Sequence, residues 1–202
     1  MREVIDRVGR IEREVDPDLF SSVARSHRGA SKSPPKRQAT IWRRMRDVLG
    51  EVDAQSILSA GIAQLQSFGM TFRKAGYITD FAEQVVRGSF DLDAVQHMSD
   101  EDAIRMLSSL KGVGVWTAEM ILLFCLQRPN VFSFDDLAIQ RGLRMVYHHA
   151  RSRGSCSRST GGGSPYCSVA SLYLWAVAGG AIPEMRDYKP KNPKKPKVKA
   201  QR

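Results

Sequence analysis

A glycine-containing segment, LKGVGVWTA at 110–118, lies between two stretches with helical hydrophobic spacing. Gly112 and Gly114 can adopt a positive φ, and a helix is expected to begin directly after them. Such a turn points consecutive backbone N–H groups outward, and the positive end of the next helix strengthens their attraction for an anion. The segment predicts a phosphate-binding hairpin made of Leu110, Gly112, Val113, Gly114 and Thr117. An ordinary helix–helix turn, with glycines for geometry only, explains the same spacing.

Two adjacent carboxylates, Asp135 and Asp136, precede the apolar helical run that begins at Leu137. An Asp in this position is most often an N-cap that accepts backbone N–H bonds, but capping needs only one of the two. The other would lie among Phe132, Phe134 and Leu137. An apolar environment of this kind shifts carboxylate pKa values and is common in catalytic sites. The pair therefore predicts either a helix cap alone or a cap and a catalytic carboxylate.

Helical spacing dominates the rest of the chain. Apolar residues recur at intervals of three and four, with Gly or Asp at the breaks. Neither an alternating strand pattern nor a βαβ rhythm occurs, so the predicted fold class is all-α. The expected helices cover 4–14, 38–49, 54–60, 71–87, 91–97, 100–109, 115–127, 136–148 and 168–180.

Composition excludes several classes of protein. The chain has 202 residues, of which 42% are hydrophobic, so it can bury a core. No run reaches the roughly 18 apolar residues of a membrane span, and the charged start, MREVIDRVGR, is unlike a secretory signal. The three cysteines lack the CxxC spacing of zinc or iron–sulfur sites. We expect a cytoplasmic protein with no membrane partner, no disulfide framework and no metal.

The formal net charge of +10 is concentrated in three segments. Residues 186–202 contribute +7, residues 25–37 contribute +5 and residues 150–168 contribute +3, which leaves −5 for the remainder. Any basic surface outside these three segments must therefore be a local patch.

Two windows, 24–37 and 150–163, are rich in Ser, Arg, Gly and Pro and lack apolar periodicity. We predict a single domain over 1–188 that contains both windows as irregular segments. A disordered basic tail is expected at 189–202. The tail either solubilises the protein or adds a salt-sensitive attraction for phosphates.

Together these residues resemble the helix-hairpin-helix DNA glycosylase superfamily, most closely its 3-methyladenine DNA glycosylase II branch. The resemblance is carried by the pattern LxGVGxWTA and an Asp twenty residues after Trp116. GMTFRKAGYI at 69–78 and SLYLW at 171–175 also match. It covers 38–149 continuously and returns at 164–188. It implies a fold of two helical lobes flanking a cleft that binds DNA and the damaged base.

The resemblance assigns Asp136 as the catalytic carboxylate and leaves Asp135 as its neighbour or as the cap. A carboxylate in this role stabilises the oxocarbenium-like sugar and positions or deprotonates the attacking water. Relatives that also cut the DNA strand carry a lysine where this chain has Trp116. The resemblance thus implies a monofunctional hydrolase that flips out alkylated bases of the 3-methyladenine and 7-methylguanine type, as in base excision repair.

Electron-rich rings suit a flipped, cationic base, so Trp116 and Trp175 are the candidate pocket walls. Packing in the core is the alternative role for Trp175. Tyr77 and Met120 are further pocket candidates. The resemblance requires no cofactor, although it allows a monovalent cation at the hairpin carbonyls.

One departure from the family concerns a Gly-Gln-Gln-x-Ser stretch whose loop wedges into the duplex. This chain matches the family at 18–23 (DLFSSV) and again at 38–42 (QATIW), but window 24–37 has no Gln pair. We interpret this window and window 150–163 as segments read out of frame. Sequencing the coding DNA tests this interpretation, and a continuous frame would contradict it.

Two alternatives remain open at this level. A non-enzymatic or inactivated DNA-binding protein would keep the hairpin and the basic tail without releasing a base. A glycosylase for oxidised or mismatched bases is disfavoured by Trp116 and by the lack of four cluster cysteines. In each case we expect the partner to be double-stranded DNA of the nucleoid and the protein to be a monomer.

Overall fold

The computed structural model describes residues 1–13, 15, 17–29, 35–148 and 164–188. In these ranges the chain forms α-helices and no strands, which confirms the all-α class. The helices are α1 (Arg2–Val8), α2 (Leu19–Gly29), α3 (Pro35–Leu49), α4 (Ala54–Ser67), α5 (Phe72–Val86), α6 (Leu92–His97), α7 (Asp100–Ser108), α8 (Val115–Phe124), α9 (Leu137–Tyr147) and α10 (Cys167–Ala178).

The structure differs from the irregular window expected at 24–37, because α2 continues to Gly29 and α3 begins at Pro35. The Asp18 carboxylate caps α2 by accepting the backbone N–H groups of Phe20 and Ser21 at 3.2 and 3.0 Å. Proline is well tolerated at the first position of a helix, where its missing N–H costs nothing. Window 150–163 and the tail at 189–202 lie outside the described residues.

Two other helix boundaries differ from the predicted ones because of glycine conformation. Helix α1 stops at Val8, since Gly9 adopts a φ of 76°. Helix α4 continues to Ser67 beyond the predicted end at 60, with a kink at Gly61 (φ 70°, ψ 169°). A side chain with a Cβ adopts either backbone conformation only with strain.

The chain divides into two compact units. The central unit comprises Glu12–Phe132 and contains α2 to α8. Its core includes the rings of Phe20 and Phe81, stacked with centroids 5.0 Å apart, and Phe90, which meets Phe81 edge-on at 5.5 Å.

The terminal unit comprises Met1–Ile11 and Ser133–Arg202 and contains α1, α9 and α10. The Tyr173 hydroxyl donates a 3.0 Å hydrogen bond to the Gly9 carbonyl, which fixes the end of α1 against α10. Arg144 pairs with both oxygens of Asp187 at 2.7 and 2.9 Å. The core of this unit is made of Val4, Met145, Tyr173, Val177 and Ile182.

None of the described helices combines the length and the apolarity that crossing a bilayer requires.

Candidate functional site: a carboxylate and a helical hairpin

Asp136 is the N-cap of α9 in the terminal unit, with extended backbone geometry (φ −71°, ψ 117°). Its Oδ1 atom accepts hydrogen bonds from the backbone N–H groups of Ala138 and Ile139, both at 2.8 Å. These donors belong to the first turn of α9, where backbone N–H groups have no partner within the helix. Asp136 as a whole residue is only 9% exposed. The aspartate that the family resemblance assigns to catalysis is therefore also the helix cap.

Trp175, on α10 of the same unit, donates its indole N–H to the same Oδ1 atom at 3.1 Å. The side chain of Trp175 is half-buried. The structure thus brings together two of the residues singled out in the sequence, which are 39 positions apart. The bond between them was not foreseen, because helical spacing predicts which residues share a helix face but not which helices pack together.

Two expectations about the surroundings of Asp136 need correction. Asp135 does not take the capping role, because the donors of the first turn bind Asp136, and Asp135 itself is exposed. The expected apolar cover is also incomplete, since Leu137 is 79% exposed and Phe134 is 37% exposed. The adjacent residues point their side chains outward, so the burial of Asp136 depends on contacts beyond its neighbours in sequence.

The turn before α9 is held by two further hydrogen bonds. The Asp136 N–H donates to the Ser133 carbonyl at 3.3 Å. The Gln140 side-chain amide donates to the Phe134 carbonyl at 2.7 Å. These bonds restrict the backbone on both sides of the carboxylate, which limits the positions that its oxygens can occupy.

The hairpin of the central unit joins α7 to α8. Leu110 and Val113 are buried and anchor the turn, and the Val113 N–H donates to the Leu110 carbonyl at 3.1 Å. Gly112 has the predicted positive φ, 84°, but Gly114 does not: it is the N-cap of α8 with φ −97°. The positive φ of Gly112 alone is therefore sufficient to reverse the chain before α8 begins.

Exposure within the hairpin shows which groups an anion can reach. Gly112 and Gly114 are exposed, and Gly114 supplies no capping side chain to the N-terminus of α8. Thr117 is buried, so its side chain faces the protein rather than solvent. Of the five predicted hairpin residues, two glycines offer accessible backbone, and Leu110, Val113 and Thr117 hold the turn in place.

An ion pair that the sequence did not predict connects the hairpin to α5. Lys111 Nζ lies 2.7 Å from Asp80 Oδ2. The hydrogen bond to Asp80, with the charge of that carboxylate, raises the pKa of Lys111, and Tyr77 adds a smaller electrostatic contribution. Lys111 and Asp80 are 31 residues apart, and no local pattern links them.

The other pocket candidates lie in the central unit. Trp116 is 46% exposed in the first turn of α8, and Met120 follows it by four residues, so both belong to one face of that helix. Tyr77 lies on α5 one turn before Asp80 and is half-buried. Trp116, Met120 and Tyr77 are thus members of the unit that carries the hairpin, whereas Asp136 and Trp175 belong to the terminal unit.

The hairpin carbonyls are the donors to consider for a monovalent cation. The Leu110 carbonyl accepts the Val113 N–H at 3.1 Å, and a carbonyl oxygen has a second lone pair. Oxygen ligands of this type suit hard cations. Among the residues that the structure describes, no group of three or more His, Cys, Asp or Glu side chains could hold a metal ion. A cation at the hairpin carbonyls stays a prediction.

Two curated proteins are each 30% identical to part of this chain. The Bacillus subtilis (strain 168) protein YfjP is 30% identical over 123 residues, which are 60% of this chain and 43% of the relative. DNA-3-methyladenine glycosylase 1 of Schizosaccharomyces pombe is 30% identical over 135 residues, 65% of this chain and 57% of the relative. This chain therefore spans about half the length of these curated relatives.

Among solved structures, the crystal structure of a DNA-3-methyladenine glycosidase from Bacillus halodurans superposes with a TM-score of 0.82 at 28% sequence identity. The match covers 93% of this chain and 88% of that one. It confirms the helix-hairpin-helix glycosylase fold that the sequence motifs implied. Residues 31–156 match the family described as HhH-GPD superfamily base excision DNA repair protein. Since this match includes well over half of the residues, the chain belongs to the HhH-GPD superfamily of base excision DNA repair proteins.

Proposed function

We propose that this protein is a monofunctional DNA glycosylase that removes alkylated bases of the 3-methyladenine and 7-methylguanine type by hydrolysing the N-glycosidic bond. The observation that carries the proposal is the Asp136 carboxylate, which is buried and whose Oδ1 atom is held by two backbone N–H groups and the Trp175 indole. A carboxylate fixed in this way is suited to stabilise positive charge that develops on a sugar. The names of the relatives support the choice of alkylated bases.

In the proposed reaction, the target nucleotide leaves the duplex and its sugar approaches Asp136. The carboxylate stabilises the oxocarbenium character at the anomeric carbon and positions or deprotonates the attacking water. A 3-methyladenine or 7-methylguanine base already bears a positive charge, so it departs as a neutral molecule without a general acid. Trp116 and Met120 supply an aromatic and a polarisable surface for such a base.

The exposed glycines of the hairpin, Gly112 and Gly114, are the proposed contact for a DNA phosphate. Backbone N–H groups at a helix N-terminus bind phosphate without a side-chain charge and carry no sequence information. We place the activity on double-stranded DNA of the nucleoid, with the protein acting as a monomer. Trp116 occupies the position of the strand-cleaving lysine, so hydrolysis without β-elimination is the expected outcome.

The test is release of free bases from duplex DNA that carries 3-methyladenine and 7-methylguanine, measured for the wild type, Asp136→Asn and Asp135→Asn. Asparagine remains a good N-cap, so Asp136→Asn keeps the fold while it removes the charge. We expect this variant to lose about 100- to 1,000-fold or more of the rate. Asp135→Asn is the matched control and retains the wild-type rate, because Asp135 is exposed and does not cap α9.

Binding to a duplex with a stable abasic-site analogue is measured for the same three proteins, and we expect equal affinities. Normal turnover by Asp136→Asn would contradict the assignment of the carboxylate. A wild-type protein that binds the duplex but releases no base would overturn the proposed activity in favour of a DNA-binding role. Release of oxidised or mismatched bases alone would overturn the substrate class.

A further inference from the structure

Helices α9 and α10 approach each other backbone to backbone at Gly142. A Cβ atom placed on Gly142 would lie 2.4 Å from the Leu174 carbonyl oxygen and 2.9 Å from its carbonyl carbon. Side chains with a Cβ do not tolerate such distances, so the contact requires glycine. Leu174 directly precedes Trp175, and Gly142 lies on the helix that Asp136 caps. The close contact therefore sets how near the Trp175 backbone is to the N-terminal half of α9.

The hydrogen bond from Trp175 to Asp136 follows from this packing. Ala138, Ile139 and Trp175 donate to the same Oδ1 atom, at 2.8, 2.8 and 3.1 Å. The first two donors are inherent to any capped helix, but the third comes from a different helix. Hydrogen bonds to ionised carboxylates are stronger than those between neutral groups. Rotation about the Cβ–Cγ bond of Asp136 would break all three bonds until the equivalent oxygen replaced Oδ1, so the plane of the carboxylate is fixed.

The ring of Trp175 has a role in this arrangement that stacking against a base does not need. A pocket wall uses the face of the ring, and any aromatic side chain supplies one. The bond to Asp136 uses the indole N–H, which phenylalanine lacks. The two roles therefore differ in which replacement each of them tolerates.

We propose that Trp175 is a positioning residue for the Asp136 carboxylate: its indole N–H holds Oδ1 in the α9 cap and directs Oδ2 toward the reacting sugar. The proposal rests on the glycosylase function proposed above. It assigns Trp175 to the orientation of the carboxylate instead of the wall of the base pocket. It also gives Gly142 a functional consequence, because the distance between α9 and α10 determines whether the bond can form.

The kinetic test compares Trp175→Phe with Tyr173→Phe in single-turnover base release over a range of enzyme concentrations. Each variant removes one hydrogen-bond donor from an aromatic residue of α10, but Tyr173 donates to Gly9 and not to Asp136. We expect Trp175→Phe to lower the maximal rate by about tenfold to a hundredfold, with the half-saturating concentration unchanged. Tyr173→Phe retains the wild-type maximal rate. A rise in the half-saturating concentration of Trp175→Phe at an unchanged maximal rate would assign the residue to the pocket and overturn the proposal.

A second measurement reads the bond without an activity assay, in a protein that keeps Trp175. The chain has three tryptophans, so an NMR spectrum of the full chain contains three indole N–H signals, and Trp175→Phe and Trp42→Phe identify two of them. In Asp136→Asn the acceptor loses its charge, and we expect the Trp175 signal to move upfield while that of Trp42 stays in place. An unmoved Trp175 signal would overturn the proposal even if the wild type releases bases. If the wild type releases none, the proposed function fails, and this signal still reports separately on the bond.

Discussion

Gly142→Ala is expected to disturb the terminal unit and the candidate site together. The added Cβ would lie 2.4 Å from the Leu174 carbonyl oxygen, about 1 Å short of the 3.4 Å at which ordinary contact begins. Because the obstacle is backbone, no side-chain rotation can relieve it, and α9 and α10 must separate by about that amount. Overpacking of this kind costs about 1–3 kcal/mol, and the better helix propensity of alanine offsets about 1 kcal/mol.

We therefore expect a net loss of about 2 kcal/mol in the free energy of unfolding, since a clash with backbone belongs at the upper end of the range. For a chain of this size, that corresponds to a decrease in Tm of about 4–8 °C. Separation by about 1 Å would lengthen the 3.1 Å bond between Trp175 and Asp136 beyond hydrogen-bonding distance. A misplacement of this size at a catalytic group lowers the rate by up to about 100-fold.

Thermal and urea unfolding followed by circular dichroism measure the first effect, and single-turnover base release measures the second. Gly76→Ala is the matched control, because Gly76 lies inside α5 and a Cβ there would meet nothing within 4 Å. We expect it to be neutral or to stabilise the protein by up to about 1 kcal/mol. A Gly142→Ala protein as stable as Gly76→Ala would refute the packing. One that is destabilised but keeps the wild-type rate and Trp175 signal would refute the link between Gly142 and Asp136.

Two further predictions concern DNA binding and the type of reaction. Deleting 189–202, which carries seven Lys and Arg residues and no acid, should weaken binding equally for all duplex sequences and reduce its salt dependence, because each phosphate contact contributes roughly 0.9 to the logarithmic slope. Titrations at several salt concentrations measure this, and an unchanged slope would mean that the tail makes no contact with DNA. Trp116→Lys should not by itself produce strand cleavage, since a lyase amine also needs a lowered pKa and the correct aim. Denaturing gels of a labelled duplex check this, and rapid cleavage would contradict it.

Local chemistry in the sequence was sufficient for most of the helices, although α2 was not among those predicted. Apolar spacing predicted the bounds of most helices to within a few residues, because it depends only on residues that are close together in the sequence. The hairpin and Asp136 were singled out by the resemblance to the glycosylase family, which rests on LxGVGxWTA and on the Asp twenty residues after Trp116. Local rules also had limits. Gly114 could adopt a positive φ but has a negative one. Helix α2 extends into a segment that is rich in Ser and Arg, where no helix was expected.

The long-range contacts of the candidate site and of the hairpin were decided by tertiary packing. Trp175 donates to Asp136 across 39 residues, and Lys111 pairs with Asp80 across 31. Each contact depends on which helix packs against which, and at what distance. That arrangement comes from the fit of buried surfaces and is not encoded in any run of adjacent residues. The sequence alone thus specified the chemical groups and the helices that carry them, whereas the approach of α10 to α9 at Gly142 placed the Trp175 indole on the Asp136 carboxylate.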